Sequence, residues 1–426
     1  MYTKRIIEKQ DRLTKLFSNN INNLKNNGIL YLSIFSYACT WSKGFSYSYL
    51  KFLSKKNFIN FISLFFFFLC EFYFLIKNAN FKIKIFISKR NFKKLFLTWG
   101  QINSFNNKGI YFDNYFLKNS KKNSNLWFIL GDNELENINK ARNCILFYKK
   151  NNFFLNLFNL KILSFGFFFS VKKFFHFSNY HSYLAVNLAK FLIDEIKKNK
   201  LTEIVMPYEG QIFQDYLIYK VKQNFPKIKV LCFAHSSQPL PLHLIYKNIY
   251  IDTLYVHSEN QLYHLSKKLL WPAHKLELHK VTKFKRLNLN KFLNKIFLPY
   301  GLISIKVILD SLDFLEKRKI INLNQFSVQN HPKAIYSEKH NLLIKRISEI
   351  KKNYKRVIKK QKTSILIGAT GAVPEALQSV DTVIHILDDL VLESYTSSFW
   401  PDIDTVCIND NIVLYSTKNK KKLYKI

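Results

Sequence analysis

Glycine and methionine are scarce in this chain, whose 426 residues include 10 Gly and 2 Met. Average glycine usage is about 7%, and the shortage here accompanies 41 Phe and abundant Lys, Asn and Ile. This composition indicates a bias toward AT-rich codons, so we attribute the net charge of +38 mainly to a solvated basic surface. No nucleic-acid-binding motif accompanies the charge, which argues against a specific nucleic-acid partner and leaves an anionic membrane surface or polymer open.

Cysteine is also too dispersed to form a site. The five cysteines show no Cys-x-x-Cys or other metal-type spacing, which predicts reduced thiols in a cytoplasmic setting and no zinc site. The basic N-terminal stretch "MYTKRIIEKQDRLTKLF" is not followed by an apolar core and cleavage site, so we predict no secretory signal.

One long apolar run, "FINFISLFFFFLCEFYFLI" at 58–76, has close to the length of a membrane span. It contains Asn60 and Glu71, and a charged residue within a span costs about 2.5 kcal/mol or more. A buried or interfacial helix is therefore favoured over a span. The lysine-rich flanks would suit a helix lying on the anionic inner face of the cytoplasmic membrane.

The chain lacks internal repeats and long Pro/Gly/Ser linkers, and from residue 80 short apolar runs alternate with amphipathic ones. This alternation predicts an α/β protein of parallel sheets with crossover helices. We predict two doubly wound, Rossmann-like domains facing a cleft, at 1–245 and 246–426. The boundary is placed near the prolines of "QPLPLHLIYKN".

Two loops of the first predicted domain carry candidate chemistry, because ligands of parallel sheets bind at the carboxyl ends of strands. "PYEGQ" (207–211) follows a strand and holds Glu209, either a general base or a carboxylate stabilised at a helix N-terminus. "AHSS" (234–237) follows the next strand and holds His235. We assign Glu209 and His235 as catalytic candidates, with Tyr208, Gln211 and Ser236 on the acceptor side.

Two loops of the second predicted domain have binding character. Pro332 in "QNHPK" restricts His331 to an extended backbone. In "GATGAVPEAL" the small residues would let the backbone approach a phosphate, with Thr370 as hydroxyl donor and Glu375 bonding a ribose or capping its own helix. The assigned donor-binding residues are His331, Pro332, Gly368, Ala369, Thr370, Gly371 and Glu375.

Several motifs of other enzyme classes are missing. There is no Walker loop, no Gly-x-Gly-x-x-Gly fingerprint and no Gly-x-Ser-x-Gly elbow. The Asp-x-Asp of "PDIDT" (401–405) follows "FWP", a poor strand end, and is interpreted as a surface turn rather than a metal site.

Taken together, "PYEGQIFQDYLIYKVKQNFPKIKVLCFAHSSQPLPL", "FSVQNHPKA" and "SILIGATGAVPEALQSVDTVIHI" resemble bacterial capsule and surface-carbohydrate biosynthesis proteins of the GT-B glycosyltransferase type. "LTWGQINSFNNKGIYFDNYF" (97–116) also resembles that group. The wider relatives include capsule polymerases and Kdo transferases that use CMP-activated sugars. The resemblance implies that Glu209 is a general base, that His331 contacts CMP and that Thr370 binds the donor phosphate. The chain departs from the pattern by having one acid before Gly210 and Ala-Thr in place of Ser-Ser.

The expected function is metal-independent and cofactor-free transfer of a sugar, from a nucleotide-sugar donor to a glycan or lipid-linked glycan, in capsule or lipopolysaccharide synthesis. Two alternatives stay open at this stage. One is a nucleotide-sugar epimerase on the same fold, and the other is a non-enzymatic basic protein that binds membranes or polymers.

Overall fold

The structure of the protein is a computed structural model. It describes residues 2–24, 28–33, 45–87, 92–100, 125–131, 143–150, 159, 162, 179–235, 237–279, 291–299, 304–330, 338–354 and 362–423. The helices are α1 (Tyr2–Leu24), α2 (Phe45–Ser54), α3 (Phe58–Asn78), α4 (Asn179–Asn199), α5 (Ile212–Asn224), α6 (Glu259–Tyr263), α7 (Ile305–Lys317), α8 (Glu338–Asn353), α9 (Val373–Ala376), α10 (Leu390–Glu393) and α11 (Lys420–Leu423). The strands are β1 (Asn80–Phe86), β2 (Lys94–Trp99), β3 (Asn125–Gly131), β4 (Cys144–Lys150), β5 (Glu203–Tyr208), β6 (Lys229–Ala234), β7 (Thr253–Val256), β8 (Leu276–Leu278), β9 (Lys295–Phe297), β10 (Ser327–Gln329), β11 (Thr363–Ile367), β12 (Thr382–Ile386), β13 (Ile403–Cys407) and β14 (Ile412–Thr417).

Within the described residues, the first sheet has eight strands in the order β1-β4-β3-β2-β5-β6-β7-β8. All neighbouring pairs are parallel except β1 with β4, which is antiparallel at one edge. Its central strands are apolar on both faces: Leu95 and Leu97 pack into one core, and Phe96 packs into another on the opposite face. A strand buried on both sides is a continuous apolar run, because each face must be covered by other elements.

The second sheet, as far as the structure describes the chain, has six strands in the order β10-β9-β11-β12-β14-β13. β10, β9, β11 and β12 are parallel, and β14 and β13 add an antiparallel hairpin at the edge. Ile365 and Ile367 pack on one face, whereas Leu366 joins the core that continues into the first sheet. The predicted α/β class with two parallel-dominated sheets is thus confirmed.

The change from one sheet to the other does not fall at residue 245. β7 and β8 extend the first sheet, and the next strand, β9, already belongs to the second. The predicted boundary was placed near the two prolines of "QPLPLHLIYKN", and Leu240, Leu242 and Leu244 around them are buried in the core. Nor does α1 stay with the first sheet, since Gln10 Nε2 donates to the carbonyls of Val391 and Ser394 at 2.8 and 3.0 Å.

Two segments form shorter helices than their sequence pattern predicts. The pattern of 259–270 predicts one helix, but the segment consists of α6 followed by a π-helical turn at His264–Lys268. The pattern of 372–379 also predicts a helix, but only the four residues of α9 form it, with Pro374 in its first turn.

Candidate active site at the ends of two parallel strands

Glu209 and His235 meet at the carboxyl edge of the first sheet. β5 and β6 are adjacent and parallel, and their register pairs Tyr208 with Ala234, so the two residues that follow come out side by side. Glu209 Oε1 lies 2.9 Å from His235 Nε2, and the side chains are 16% and 23% exposed. The pair is therefore ordered by the sheet and still open to a ligand.

The turn that carries Glu209 is held by backbone geometry and one buried amide. Gly210 has a φ of +64°, and a Cβ there would come within 2.8 Å of the His243 carbonyl oxygen, so only glycine fits. The fully buried Gln214 accepts from the N–H groups of Glu209 and Gln211 at 3.0 and 3.1 Å, and its Nε2 donates to the Pro207 carbonyl at 2.6 Å.

Glu209 is consequently not the cap of α5. The residue before the first turn of that helix is Gln211, and the N–H groups of the bend are satisfied by Gln214. The Glu209 carboxylate instead accepts from Gln211 Nε2 at 2.6 Å through Oε2, while Oε1 faces His235. The structure thus excludes a capping role for Glu209 and shows that its carboxylate is held by Gln211 and His235.

The electrostatics of the pair favour an ionised Glu209. Burial acts to raise the pKa of Glu209, but the charge interaction and hydrogen bond with His235, together with the hydrogen bond from Gln211, lower it below its ordinary value. The residue is thus a carboxylate at neutral pH and can accept a proton.

An aromatic side chain that sequence reasoning missed completes this edge. Trp99 ends β2, the strand on the other side of β5, and its ring lies 5.4 Å from the His235 ring in an edge-to-face arrangement. It also contacts Phe213 at 6.4 Å. The available signal was the position of Trp99 at the end of the apolar run "LFLTW", which makes it a third strand-end residue.

Tyr208 does not lie on the acceptor side, because its side chain points into the core. Tyr208 is 1% exposed, and its hydroxyl donates to Asp215 Oδ1 at 2.6 Å. The second oxygen of Asp215 pairs with Lys247 Nζ, and both of these side chains are fully buried. Burial raises the pKa of Asp215 and lowers that of Lys247, so the two groups depend on each other to remain charged.

The loop after β11 approaches the same place from the second sheet. The Tyr395 hydroxyl lies 2.7 Å from the Ser237 carbonyl oxygen and 3.0 Å from that of Thr370. The carboxyl ends of β6 and β11 are therefore joined by one side chain, as expected for strand-end loops that face each other. Tyr395 is fully buried and belonged to no recognised motif.

The donor-binding candidates of this loop differ in burial and in their hydrogen-bond and ion-pair partners. Gly368 has a φ of +73° and is tied to β12, because its carbonyl accepts from His385 Nε2 at 2.8 Å. Ala369, Thr370 and Gly371 are partly exposed, with the Thr370 hydroxyl accepting from the Ala372 N–H at 3.1 Å. Glu375 pairs with Lys291 at 3.2 Å rather than pointing freely toward a sugar.

Three predicted site residues lie outside the described part of the chain: Ser236, His331 and Pro332. Their assigned roles stay predictions.

The Asp-x-Asp segment gives its two carboxylates different structural partners. Asp402 Oδ2 accepts from Asn260 Nδ2 at 3.0 Å, and Asp404, within β13, pairs with Lys418 at 3.1 Å. Within the described ranges, no group of three or more His, Cys, Asp or Glu side chains is arranged to hold a metal ion.

Two cavities lie away from this edge. One of about 410 Å³ opens between α1, the α2–α3 turn and the loop after β12. The other, of about 540 Å³, lies near the amino ends of β5 and β6. The second cavity lies at the amino ends of its strands, opposite to the ends where ligands of parallel sheets bind. The first lies beside the loop after β12, and neither cavity is lined by Glu209 or His235.

Comparison with known proteins finds no matching family model and no matching curated protein. Among solved structures, a glycosyltransferase from Rickettsia africae ESF-5 aligns with a TM-score of 0.34 and 12% identity, over 71% of this chain and 86% of that one. The S. aureus MnaA–UDP co-structure aligns with a TM-score of 0.37 and 9% identity, over 67% of this chain and 76% of that one. At these values we draw no functional conclusion from either likeness and rely on the geometry of the site.

Proposed function

We propose that this protein is a glycosyltransferase that moves a sugar from a nucleotide donor to an acceptor hydroxyl. The reaction takes place at the carboxyl edge of the first sheet, beside Glu209. The observation that carries the proposal is the contact between the partly exposed Glu209 and His235 side chains at two adjacent parallel strand ends. Two residues beyond His235, Tyr395 joins the Ser237 carbonyl to the loop after β11. The Glu209 carboxylate is ionised at neutral pH and is held by its neighbours at a ligand-binding edge, so it can accept a proton from an acceptor hydroxyl.

In this reaction the acceptor oxygen attacks the anomeric carbon of the donor sugar, and the bond from that carbon to the phosphate oxygen breaks. The nucleotide leaves with the bonding electron pair, and Glu209 takes the hydroxyl proton. His235 orients the carboxylate through its hydrogen bond and, when protonated, offsets negative charge that develops at the edge.

We place the donor against the partly exposed Ala369–Gly371 segment, next to the Ser237 carbonyl. Because α9 has only four residues, the backbone and hydroxyl of the loop, rather than a helix end, would contact the phosphate. We further propose a CMP-activated or similar sugar donor, a glycan or lipid-linked glycan acceptor, and a role in surface polysaccharide synthesis without metal or other cofactor. The sequence motifs support these finer assignments.

A donor screen with an active-site variant tests the proposal. Thermal unfolding of the purified protein with CMP-, UDP-, GDP- and dTDP-sugars should show a raised midpoint with one nucleotide class, because a ligand that binds only the folded state stabilises it. With that donor and glycan acceptors, Glu209→Gln should reduce transfer by about a hundredfold or more while keeping the shift caused by the donor. Glu349→Gln, at an exposed ion pair with Arg346, is the matched control and should transfer normally.

Two outcomes would reject the proposal. Near-normal transfer by Glu209→Gln would show that Glu209 is not the general base. Conversion of the donor sugar in the absence of acceptor would instead indicate an epimerase.

A further inference from the structure

The helix α3 exposes an apolar face that no other described helix matches. Of the large apolar side chains that are exposed in the described part of the chain, most lie on this one helix. They are Phe58, Ile59, Phe61, Ile62, Phe65, Phe66, Leu69, Tyr73 and Phe74. Phe58 and Ile59 are each 75% exposed, and the spacing of the set places it on one side of the helix. A contiguous apolar surface of this kind marks an interaction site.

The opposite side of α3 is fixed to the protein. Leu64 and Phe68 enter the core of the first sheet, and Leu75 packs against Ile162 and Tyr180. At its start, Asn57 accepts from the Asn60 N–H at 2.8 Å. The helix is thus a rigid part of the fold that presents only its outer face.

The acidic residue of α3 lies toward its inner side. Glu71 is half-buried and, by helical spacing, continues the stripe of Leu64, Phe68 and Leu75. Asn60 donates to the Lys55 carbonyl at 2.7 Å. The outer face therefore carries no acidic side chain. A face without negative charge can approach an anionic surface without electrostatic repulsion.

Basic residues flank the apolar face at both ends. Lys55 and Lys56 precede the helix and are exposed, and Lys77 follows in its last turn. Lysines at the rim of an apolar face can reach lipid phosphates while their stems stay beside the acyl chains. The net charge of +38 adds long-range attraction toward an anionic surface.

We propose that α3 docks the protein on an anionic lipid bilayer, lying in the plane of the interface with its outer face among the upper acyl chains. By length and composition α3 could also cross a membrane. A span would have to pull Leu64, Phe68 and Leu75 out of the protein core and place Glu71 in hydrocarbon. The in-plane orientation keeps these contacts and buries only what is exposed.

Vesicle co-sedimentation of the full chain tests this surface. Wild type should bind phosphatidylcholine vesicles containing phosphatidylglycerol more tightly than phosphatidylcholine alone, and alkaline carbonate should release it. The triple variant Phe58→Ser/Ile59→Ser/Phe66→Ser should weaken binding by about tenfold or more, because it removes apolar groups that would enter the bilayer. Circular dichroism and the unfolding midpoint should stay close to wild type, since these side chains are exposed.

The control variant Tyr250→Ser/Leu270→Ser/Val406→Ser removes three exposed apolar groups elsewhere, with exposures of 55%, 52% and 56%. It should bind vesicles like wild type. Lys55→Glu/Lys56→Glu should reduce binding to the anionic vesicles selectively.

Four results would overturn the proposal. These are no vesicle binding by wild type, equal binding by the α3 variant, resistance to carbonate extraction, and a wild-type dimer in sedimentation equilibrium that the α3 variant converts to monomer. The third would indicate a span, and the fourth an interface between two copies of the chain. None of them depends on whether the protein transfers sugars.

Discussion

Glu209 and His235 occupy equivalent positions on neighbouring strands, one residue beyond the paired Tyr208 and Ala234, and their side chains meet at 2.9 Å. Neither residue could reach the other without the intervening helix α5, which returns the chain in parallel. The candidate chemistry is thus a direct result of strand register, and it is sensitive to small changes in the bend that follows β5.

The pH dependence of stability reports on Glu209. Burial acts to raise its pKa, but the interactions with His235 and Gln211 hold it below the ordinary 4.5. As the pH falls, the unfolded chain binds this proton first, so the stabilisation is present above about pH 4.5 and is lost as the pH falls through the folded pKa. Thermal unfolding should show the largest difference between wild type and Glu209→Gln near neutral pH, shrinking below about pH 4.5. A difference that does not vary with pH would contradict the assigned interactions.

Gly210→Ala should destabilise the protein and displace the bend that carries Glu209. A non-glycine residue with this positive φ costs about 1–2 kcal/mol, and the new Cβ would contact the His243 carbonyl oxygen at 2.8 Å. Urea unfolding should give a lower free energy of unfolding by at least that amount, and transfer should fall even at temperatures where the variant is folded. An unchanged midpoint would show that the bend can relax without cost.

The buried Asp215–Lys247 pair predicts a non-additive result. Asp215→Asn leaves the Lys247 ammonium buried without a charge partner, which costs about 3–5 kcal/mol. Asp215→Leu/Lys247→Met should recover much of this loss, because neither charge is then buried. Tyr208→Phe, which removes only one hydrogen bond to Asp215, should cost about 1 kcal/mol. Chemical unfolding measures the free energy of unfolding of each variant. If the loss in the Asp215/Lys247 double variant equalled the sum of the losses in the two single variants, the pairing would be contradicted.

Tyr395→Phe should affect donor binding more than stability. Loss of one hydroxyl costs about 1 kcal/mol of folding free energy, but this hydroxyl joins the Ser237 and Thr370 carbonyls across the site. We expect a higher KM for the donor with a small change in unfolding midpoint. The matched control is Tyr354→Phe. The Tyr354 hydroxyl, just after α8, donates to Asp313 Oδ1 of α7 at 2.7 Å. An equal change of KM in both variants would dismiss the role of Tyr395.

Transfer should not depend on a divalent cation. Excess chelator is expected to leave the rate unchanged, and Asp404→Asn should also be close to wild type, because Asp404 forms an exposed ion pair with Lys418. Such pairs contribute about 0–1 kcal/mol to stability. Loss of activity on chelation that is restored by added Mg²⁺ or Mn²⁺ would refute the metal-independent proposal.

Local pattern in the sequence was sufficient for many elements of the fold. The apolar spacing of "YHSYLAVNLAKFLIDEIKKN" (180–199) predicts the amphipathic helix α4, and Leu188, Leu192 and Ile196 are buried in the structure. β5 and β6 were recognised as short apolar runs bounded by turns. These elements are determined locally, because the apolar periodicity of a helix or a buried strand can be detected from consecutive residues.

Elements whose form depends on distant contacts were mistaken or missed. β8 joins the first sheet through pairing with β7, which no local pattern at the predicted boundary reveals. Helix α9 ends after four residues, although its sequence could continue, because the following residues turn into β12.

The sequence by itself determined that Glu209 follows a strand, that Gly210 gives the bend its freedom and that His235 follows the next strand. Only the tertiary structure decided that Glu209 contacts His235 rather than the first turn of α5, that Tyr208 is buried against Asp215, and that Trp99 and Tyr395 belong to the same edge. The physical reason is that strand order and register act across the sheet. They set which side chains meet, and residues far apart in the chain supply the neighbours that fix the charge and direction of each group.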